Sequence, residues 1–475
     1  MILAFLDAAA RVLAYGVGAA IFLNGLDELW VDANYFLRPS RRRRGDTVSV
    51  AGLRAVPMKR IAILVPAWHE ADVIEEMLAS NVLGVDYDPK RFDIFCGTYP
   101  NDLATQARVD AAAVYAPNVH KVVVPHDGPT SKADCLNSVY RAVVQHEHER
   151  GRRFDILLLH DAEDVIHPLS LRLYSALIPP NDFVQTPVFS LPLPTRRLVS
   201  GTYIDEFAEH HLKDMFVREA IGGIVPSAGV GTAFARDALE EIASSAALSP
   251  FNAESLTEDY EIGLRFRLAG KRMHFAYYAL PGAAAHRGNV IATREFFPSK
   301  LRASIRQRSR WILGIALQTW AQLGWRGPPA VLYCLWRDRK ALFTNTLQLL
   351  AYALVAYVAV RWCLAPGAAL ERYRLAAHDT ILGWLLATNL GIALWRAAMK
   401  ARFVERLYGP WQALLSVPRL VVGNVIAIVA MLRAVAQFAR HRITGQPLRW
   451  LKTAHTFPRS PAAEPLMAPQ RRSHV

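Results

Sequence analysis

Between Lys340 and Arg361 the chain runs from Ala341 to Val360 without one charged side chain. About 20 apolar residues are what a helix needs to cross the hydrocarbon core, where no water can satisfy an open backbone. The rest of the fold has to be arranged around a segment committed to lipid. Three weaker apolar runs accompany it. Val12 to Leu26 follows a start whose only charges are Asp7 and Arg11. Thr380 to Trp395 is bounded by Asp379 and Arg396 and returns the chain. Leu420 to Leu432, between Arg419 and Arg433, is short for a span; it lies along the interface, re-enters, or crosses with both arginines snorkelling.

Charge orients these segments. The chain carries a formal +14, with 52% hydrophobic and 20% charged residues, which excludes a disordered chain. A nucleic-acid-binding protein would interleave its cations with aromatics on a soluble surface. Here many of them flank apolar runs: Arg38, Arg41, Arg42, Arg43 and Arg44 after the first, and Arg433, Arg440, Arg442, Arg449, Lys452, Arg459, Arg471 and Arg472 against the single acid Glu464 after the last. By the positive-inside rule both clusters are cytosolic, so the first run is an anchor and not a signal peptide, and an even number of spans follows the middle of the chain. Cys96, Cys135, Cys334 and Cys363 are widely spaced, which indicates neither a disulfide framework nor a zinc site and agrees with a reducing compartment.

From about Lys59 to Leu301 the long runs give way to short apolar bursts separated by polar, Gly and Pro punctuation. Arg60 to Pro66, Phe92 to Cys96, His120 to Val124 and Phe154 to Leu159 read as strands, with helices over Asp72 to Leu83 and Lys132 to His146. Such alternation predicts an α/β, doubly wound sheet with its site at the carboxyl ends of the strands. The last of these strands runs into Asp161, Glu163 and Asp164. Clustered carboxylates need a cation, and hard oxygen ligands suit Mg²⁺ or Mn²⁺ bridging to phosphates; an ordinary acidic turn is the simpler alternative. Thr257 is positioned to cap a helix whose first residues, Glu258 and Asp259, suit its dipole, yet a carboxylate there also suits a general base. Gln307, Arg310 and Trp311 share one helical face at i, i+3 and i+4.

In this order the pieces resemble the membrane-embedded family 2 glycosyltransferases, the group of cellulose and hyaluronan synthases. Val65-Pro-Ala-Trp-His-Glu70 resembles the V-P-x-x-N-E strand end, and Ser131-Lys-Ala-Asp-Cys-Leu-Asn137 the G-K-A-x-x-L-N element. Asp161-Ala-Glu163 stands at the D-x-D position. Gly229-Val-Gly-Thr-Ala-Phe234 is similar to the loop ahead of the acceptor, Thr257-Glu-Asp259 to T-E-D, and Gln307-Arg-Ser-Arg-Trp311 to Q-x-x-R-W. Three positions depart from the pattern: Gly97-Thr-Tyr-Pro-Asn-Asp102 replaces D-D-G-S, Glu163 replaces the second Asp of D-x-D, and His69 replaces Asn.

The resemblance implies a GT-A type nucleotide-diphospho-sugar transferase domain with a mixed sheet and transmembrane helices. Donor binding falls to Glu70, Tyr99, Asp102, Lys132, Asp161 and Glu163, with Tyr99 and Asp102 the two candidates for the base. A Mg²⁺ or Mn²⁺ ion is held near Asp161, Glu163 and Asp164. Asp259 is the general base with Glu258 beside it, and Gln307, Arg310 and Trp311 serve the diphosphate and the acceptor. The expected reaction is inverting transfer of a sugar from a UDP donor to a polysaccharide or lipid-linked acceptor, without nucleic acid, at the bacterial inner membrane.

Tyr99 to Thr105, His160 to Pro168 and the closing Thr444 to Pro458 look like the branch named for phage adsorption protein B. That branch implies a surface glycan of the phage-receptor type, an N-acetylhexosamine donor and an export partner at the outer membrane. Its larger members carry a cyclic-di-GMP-binding domain after the Phe-Pro, so a separate cyclic-di-GMP regulator is expected for this chain. The expected organisation is an anchor over 1–30, a basic linker over 31–58, the transferase over 59–311, an interfacial region over 312–340, membrane helices over 341–440 and a cytosolic tail over 441–475. The rivals are a catalytically silent membrane scaffold, and a transferase that adds a single sugar.

Overall fold

A computed structural model describes residues 2–37, 46–244, 249–281, 289–364, 367, 379–446, 448 and 456–458. The expected strands form, shifted by a residue or two: β1 Ile61–Pro66, β2 Phe92–Thr98, β3 Val119–Val123 and β4 Ile156–Leu159. Three more, β5 Phe183–Gln185, β6 Thr232–Ala235 and β7 Met273–Phe275, complete a seven-stranded sheet of order β3-β2-β1-β4-β6-β5-β7. Pairing is parallel from β3 to β4, antiparallel on both sides of β6, and parallel again between β5 and β7.

Both faces of the sheet are covered, which is why its strands read as continuous apolar runs. Ala62 and Leu64 of β1, with Leu157 and Leu159 of β4, point into one core; Ile61, Ile63 and Val65, with Ile156 and Leu158, point into the other. The helices over the sheet include α2 Ile74–Gly84, α3 Leu103–Tyr115 and α4 Lys132–Arg150. Then come α5 Leu198–Glu209, which continues into a π-helical turn over His210–Asp214, and α6 Glu258–Leu268. Helix α7, Leu301–Trp311, also runs on into a π-helical turn, Ile312–Gln318, followed by the short helix Thr319–Leu323. Residues 301–323 are thus one helical run with a π-helical turn inside it.

Among the described residues, four helices are long and apolar enough to cross a membrane: Leu3–Leu37, Pro329–Leu364, Thr380–Tyr408 and Pro410–Thr444. The first belongs to α1 (Ile2–Leu37), and the second comprises α8 (Pro329–Arg339) and α9 (Ala341–Leu364). The others are α10 (Thr380–Tyr408) and α11 (Pro410–Thr444). Helices α1, α9 and α10 carry polar pairs in two belts. In one, Arg361 and Tyr357 reach Asp7, and Arg11 meets Asp379 at 2.5 Å. In the other, Lys340 and Arg337 meet Asp27 at 2.5 and 2.9 Å, and Arg396 meets Glu28 at 3.1 Å. Twenty helical residues from Asp7 to Asp27 span about 30 Å, the thickness of a hydrocarbon core.

Between the belts, small residues bring α1 onto α10. A Cβ on Gly18 would stand 2.9 Å from Leu385, and one on Gly25 3.0 Å from Ile392. Helix α11 is placed differently. Near its start Ala413 joins one core of the sheet domain and Arg419 pairs with Asp205 of α5 at 2.6 Å, while further on Ala434 packs with Leu256 and Leu313. It therefore packs on α5, α7 and the second π-helical turn as well as on α9 and α10. The basic cluster at 38–44 and most of the tail fall outside the described residues.

The belt around Asp27 is tied to the α/β domain by Lys213, which is fully buried in the first π-helical turn, 2.9 Å from Asp32 and 2.8 Å from Glu209. Arg396 and Lys400 of α10 reach the same Glu209 at 2.8 and 3.0 Å. Removing one member of a buried ion group strands the others. Lys213→Ala is expected to destabilise the detergent-solubilised protein by about 3 kcal/mol, the low end for such sites because Arg396 and Lys400 still face Glu209. A thermal unfolding midpoint equal to that of the wild type would show that this seam does not hold the two parts together.

Candidate active site

Residues at the carboxyl ends of β1, β2 and β4 line one side of a cavity of about 490 Å³. Pro66 to Trp68 and Glu70 follow β1, Tyr99 follows β2, and Asp161 to Glu163 follow β4. The other walls come from Lys132 at the start of α4, Thr257 to Asp259 at the start of α6, Glu295, and Gln307, Arg310 and Trp311 of α7. Six expected elements distant in sequence thus converge on one space.

Local geometry explains the convergence. Ser131 caps α4 by accepting from the Asp134 N–H at 3.2 Å, so the helix starts at the cavity and presents Lys132 there. The ammonium lies 2.5 Å from Asp161 Oδ1. Burial penalises that charge, but Asp161, Glu258 and Asp259 outweigh it and leave the lysine firmly protonated. Gly229, at φ +77°, passes so close to α6 that a Cβ would stand 2.7 Å from Asp259 Oδ2. Gly314 of the second π-helical turn packs equally tightly on Thr257, with a hypothetical Cβ 2.4 Å from Thr257 Oγ1. That contact explains a correction: Thr257 does not cap α6 with its side chain, because its hydroxyl is turned toward the π-helical turn. Asp259 Oδ1 instead accepts from the Tyr260 N–H at 2.7 Å.

Glu258 is buried and Asp259 half-buried. Burial first, then the charge of Asp259, push the Glu258 carboxyl up to about 7 against the pull of Lys132 and Arg310. Burial likewise raises Asp259, opposed by Lys132 and Arg310. Glu295 is held well above the carboxylate range by burial and by Asp164, Glu163 and Asp161. At this end of the cavity six carboxylates, Glu70, Asp161, Glu163, Glu258, Asp259 and Glu295, face Lys132 and Arg310. A surplus of hard oxygen donors of this kind fits a divalent cation, with Asp161 and Glu163 the two from the expected motif.

Not every expected residue meets the cavity. Asp164 is fully buried beneath it, where its Oδ2 lies 2.7 Å from His160 Nδ1 and accepts from the Asp161 N–H at 3.0 Å. Asp102 caps α3 and accepts from the His69 N–H at 2.6 Å, holding His69 at φ +55°. It therefore shapes the strand end without lining the space. Tyr99 does line it, edge-on to Trp68 with ring centroids 5.0 Å apart and its hydroxyl 2.7 Å from Thr130 Oγ1. Gln307 accepts from the Tyr203 hydroxyl at 2.8 Å, and Trp311 packs with Tyr203 and Phe297.

Two sets of lining residues escaped the sequence reading. Glu295 arrives through a short strand whose register, Glu295 opposite Ser190, no local motif announces. Glu209, Asp214, Arg337, Arg396 and Lys400 line the end toward α8 and α10, drawn from segments up to 191 residues apart. Their only signal was charge bordering apolar runs.

Comparison with known proteins agrees with this architecture. Residues 57–314 match the family described as "Glycosyltransferase like family 2". The chain is 39% identical over 471 residues to bacteriophage adsorption protein B of Escherichia coli K12 and equally to bacteriophage N4 adsorption protein B of E. coli O157:H7. Those alignments take in 94% of this chain and 62% of each relative, so the chain spans less than two thirds of their length. Among solved structures, the mannosyltransferase PcManGT of Pyrobaculum calidifontis, in complex with GDP-Man and Mn²⁺, superposes with a TM-score of 0.54 at 17% identity, covering 90% of this chain and 99% of that one. That likeness is one of fold. With the family match extending from before β1 to the second π-helical turn, the chain belongs to the family 2 glycosyltransferases.

Proposed function

We propose that the protein is an inverting, membrane-embedded glycosyltransferase of the bacterial inner membrane. It moves a sugar from a nucleotide donor, a UDP-sugar, to a growing polysaccharide or lipid-linked acceptor in surface-glycan synthesis. The observation that carries this reading is the meeting of Lys132, Asp161, Glu258, Asp259, Gln307, Arg310 and Trp311 around one cavity. A silent scaffold has no use for such an arrangement.

The donor lies across the strand ends with its base toward Tyr99 and its diphosphate toward Arg310. Asp161 and Glu163 hold Mg²⁺ or Mn²⁺, which when bound neutralises phosphate charge. Asp259 takes the proton of the acceptor hydroxyl; the oxygen attacks the anomeric carbon as the bond to the diphosphate breaks on the opposite face, inverting the centre. Arg310 faces the departing diphosphate, and Trp311 offers an apolar surface to the acceptor sugar. Lys132 and Arg310 favour the ionised form of Asp259 against the effect of its burial. Elongation of a chain, in preference to a single transfer, is supported by the cavity's continuation to Arg337, Arg396 and Lys400 beside the membrane helices. Helices α1, α9 and α10 cross the bilayer and α11 lies at the interface, which leaves the catalytic domain and the tail in the cytosol. An export partner and cyclic-di-GMP regulation belong to the same reading.

The base assignment is tested by Asp259→Asn, which keeps shape and polarity. A positioned base contributes on the order of 10²–10⁴ in rate, so product formation should fall at least a hundredfold with UDP affinity nearly unchanged. Because Asp259 is raised, wild-type turnover should also fall as pH drops through a value above the usual carboxyl range of about 3.9. Wild-type rates from Asp259→Asn membranes would remove this residue from the mechanism. For the cation, Asp161→Ala should lose metal-dependent donor binding, and full activity in excess EDTA would end that assignment. Orientation can be read without engineering, since Cys363, near the end of α9, is exposed and the other three cysteines are buried. A membrane-impermeant maleimide should label it in intact spheroplasts; labelling only after lysis would invert the topology.

A further inference from the structure

Fourteen residues beyond Lys132, about 21 Å along α4, the helix brings His146 to the opposite edge of the sheet. There it meets Asp93, the second residue of β2, and His120, the second of β3. His120 Nε2 lies 2.8 Å from Asp93 Oδ1, and the two imidazole rings have centroids 4.8 Å apart. One ligand atom from each of the three residues falls within 4.8 Å of the others. Phe95 stacks on His120 and meets His146 edge-on, and Phe154 stacks on His146. Among the described residues, the His146 ring nitrogens have no hydrogen-bond partner.

We propose that Asp93, His120 and His146 form a binding site for a first-row transition-metal ion of the Zn²⁺ class, separate from the catalytic cavity. The donor set decides the class. Two imidazoles with one carboxylate suit Zn²⁺ and its borderline neighbours, whereas Mg²⁺ takes oxygen ligands of the sort gathered at the strand carboxyl ends. Metal–ligand bonds of about 2.0–2.2 Å set ligand atoms roughly 3.3 Å apart in a tetrahedral site. Asp93 and His120 are already within that spacing, and rotation of the half-buried His146 ring closes the rest. The ion takes the place of the proton between His120 and Asp93, and three protein ligands leave a fourth position for water. Bound there, it ties the two outermost strands on this side to the end of α4 remote from Lys132.

The test uses the full chain in detergent, freed of any polyhistidine tag and stripped with a chelator. Co²⁺ is titrated with visible absorption as the readout, and Zn²⁺ affinity is measured by competition with a chromophoric chelator. The expected result is one ion per chain at this site, with the same Co²⁺ spectrum and affinity in Asp161→Ala, which alters only the catalytic cavity. His146→Ala should weaken Zn²⁺ at least about tenfold, since loss of a direct ligand costs no less than loss of its supporting partner. His120→Ala should do the same. Among the described residues His146 makes no hydrogen bond to be lost, so its variant remains informative if His120→Ala fails to fold. An unchanged Co²⁺ spectrum in His146→Ala, or absence of stoichiometric binding at micromolar Zn²⁺, would overturn the proposal and leave a histidine–aspartate hydrogen bond beside a packed ring.

Discussion

How the long apolar helices are held against the α/β domain depends on the ionic seam around Glu209. That carboxylate receives Lys213 from its own helix end and Arg396 and Lys400 from α10, while Lys213 also reaches Asp32 of α1. Burying so many charges is costly and is tolerated only where each finds several partners. The consequence is geometric. Three long helices and a soluble α/β domain, which could otherwise be connected at any angle, are held so that the end of the cavity toward α8 and α10 lies among their cationic ends. Asp27 and Glu28, paired with Arg337, Lys340 and Arg396, extend the same seam to the start of α9.

A second constraint operates inside the cavity. Parallel strands deliver their following loops to one edge, so the acids after β1 and β4 are crowded together by topology alone. Lys132 and Arg310 oppose that crowding, yet Glu258, Asp259 and Glu295 are still displaced upward, by burial first and by neighbouring carboxylates second. A crowded group of acids fits a divalent cation, and a carboxylate raised by burial is a better proton acceptor. The tight passages at Gly229 and Gly314 show how closely the surrounding loops hold this crowded group.

Much of this was legible in one dimension. The strands of the sheet's parallel half announced themselves as apolar bursts because both faces are buried, and the acids after β4 because they end such a burst abruptly. The spacing of Gln307, Arg310 and Trp311 was a sufficient description of a helical face. What stayed hidden was short or side-chain-specific. Strands β5 and β7 are three residues each and make sense only through their pairing with β6 and β5. Asp164 and Asp102 carry the same charge as their neighbours, yet one binds His160 beneath the cavity and the other caps α3, since a carboxylate's role depends on which way its loop turns.

Sequence alone determined the fold class, the long apolar segments beside it, and the set of motifs that meet at the strand ends, because hydrophobic periodicity and charge are local properties of the chain. Only the tertiary structure decided that Glu295 joins the acids lining the cavity, that α11 packs on α5 and α7 as well as on α9 and α10, and that Asp93, His120 and His146 face one another across the far edge. Each of those facts depends on strand register or helix docking between segments distant in the chain, and such contacts are set by packing in three dimensions, which no single stretch of residues encodes.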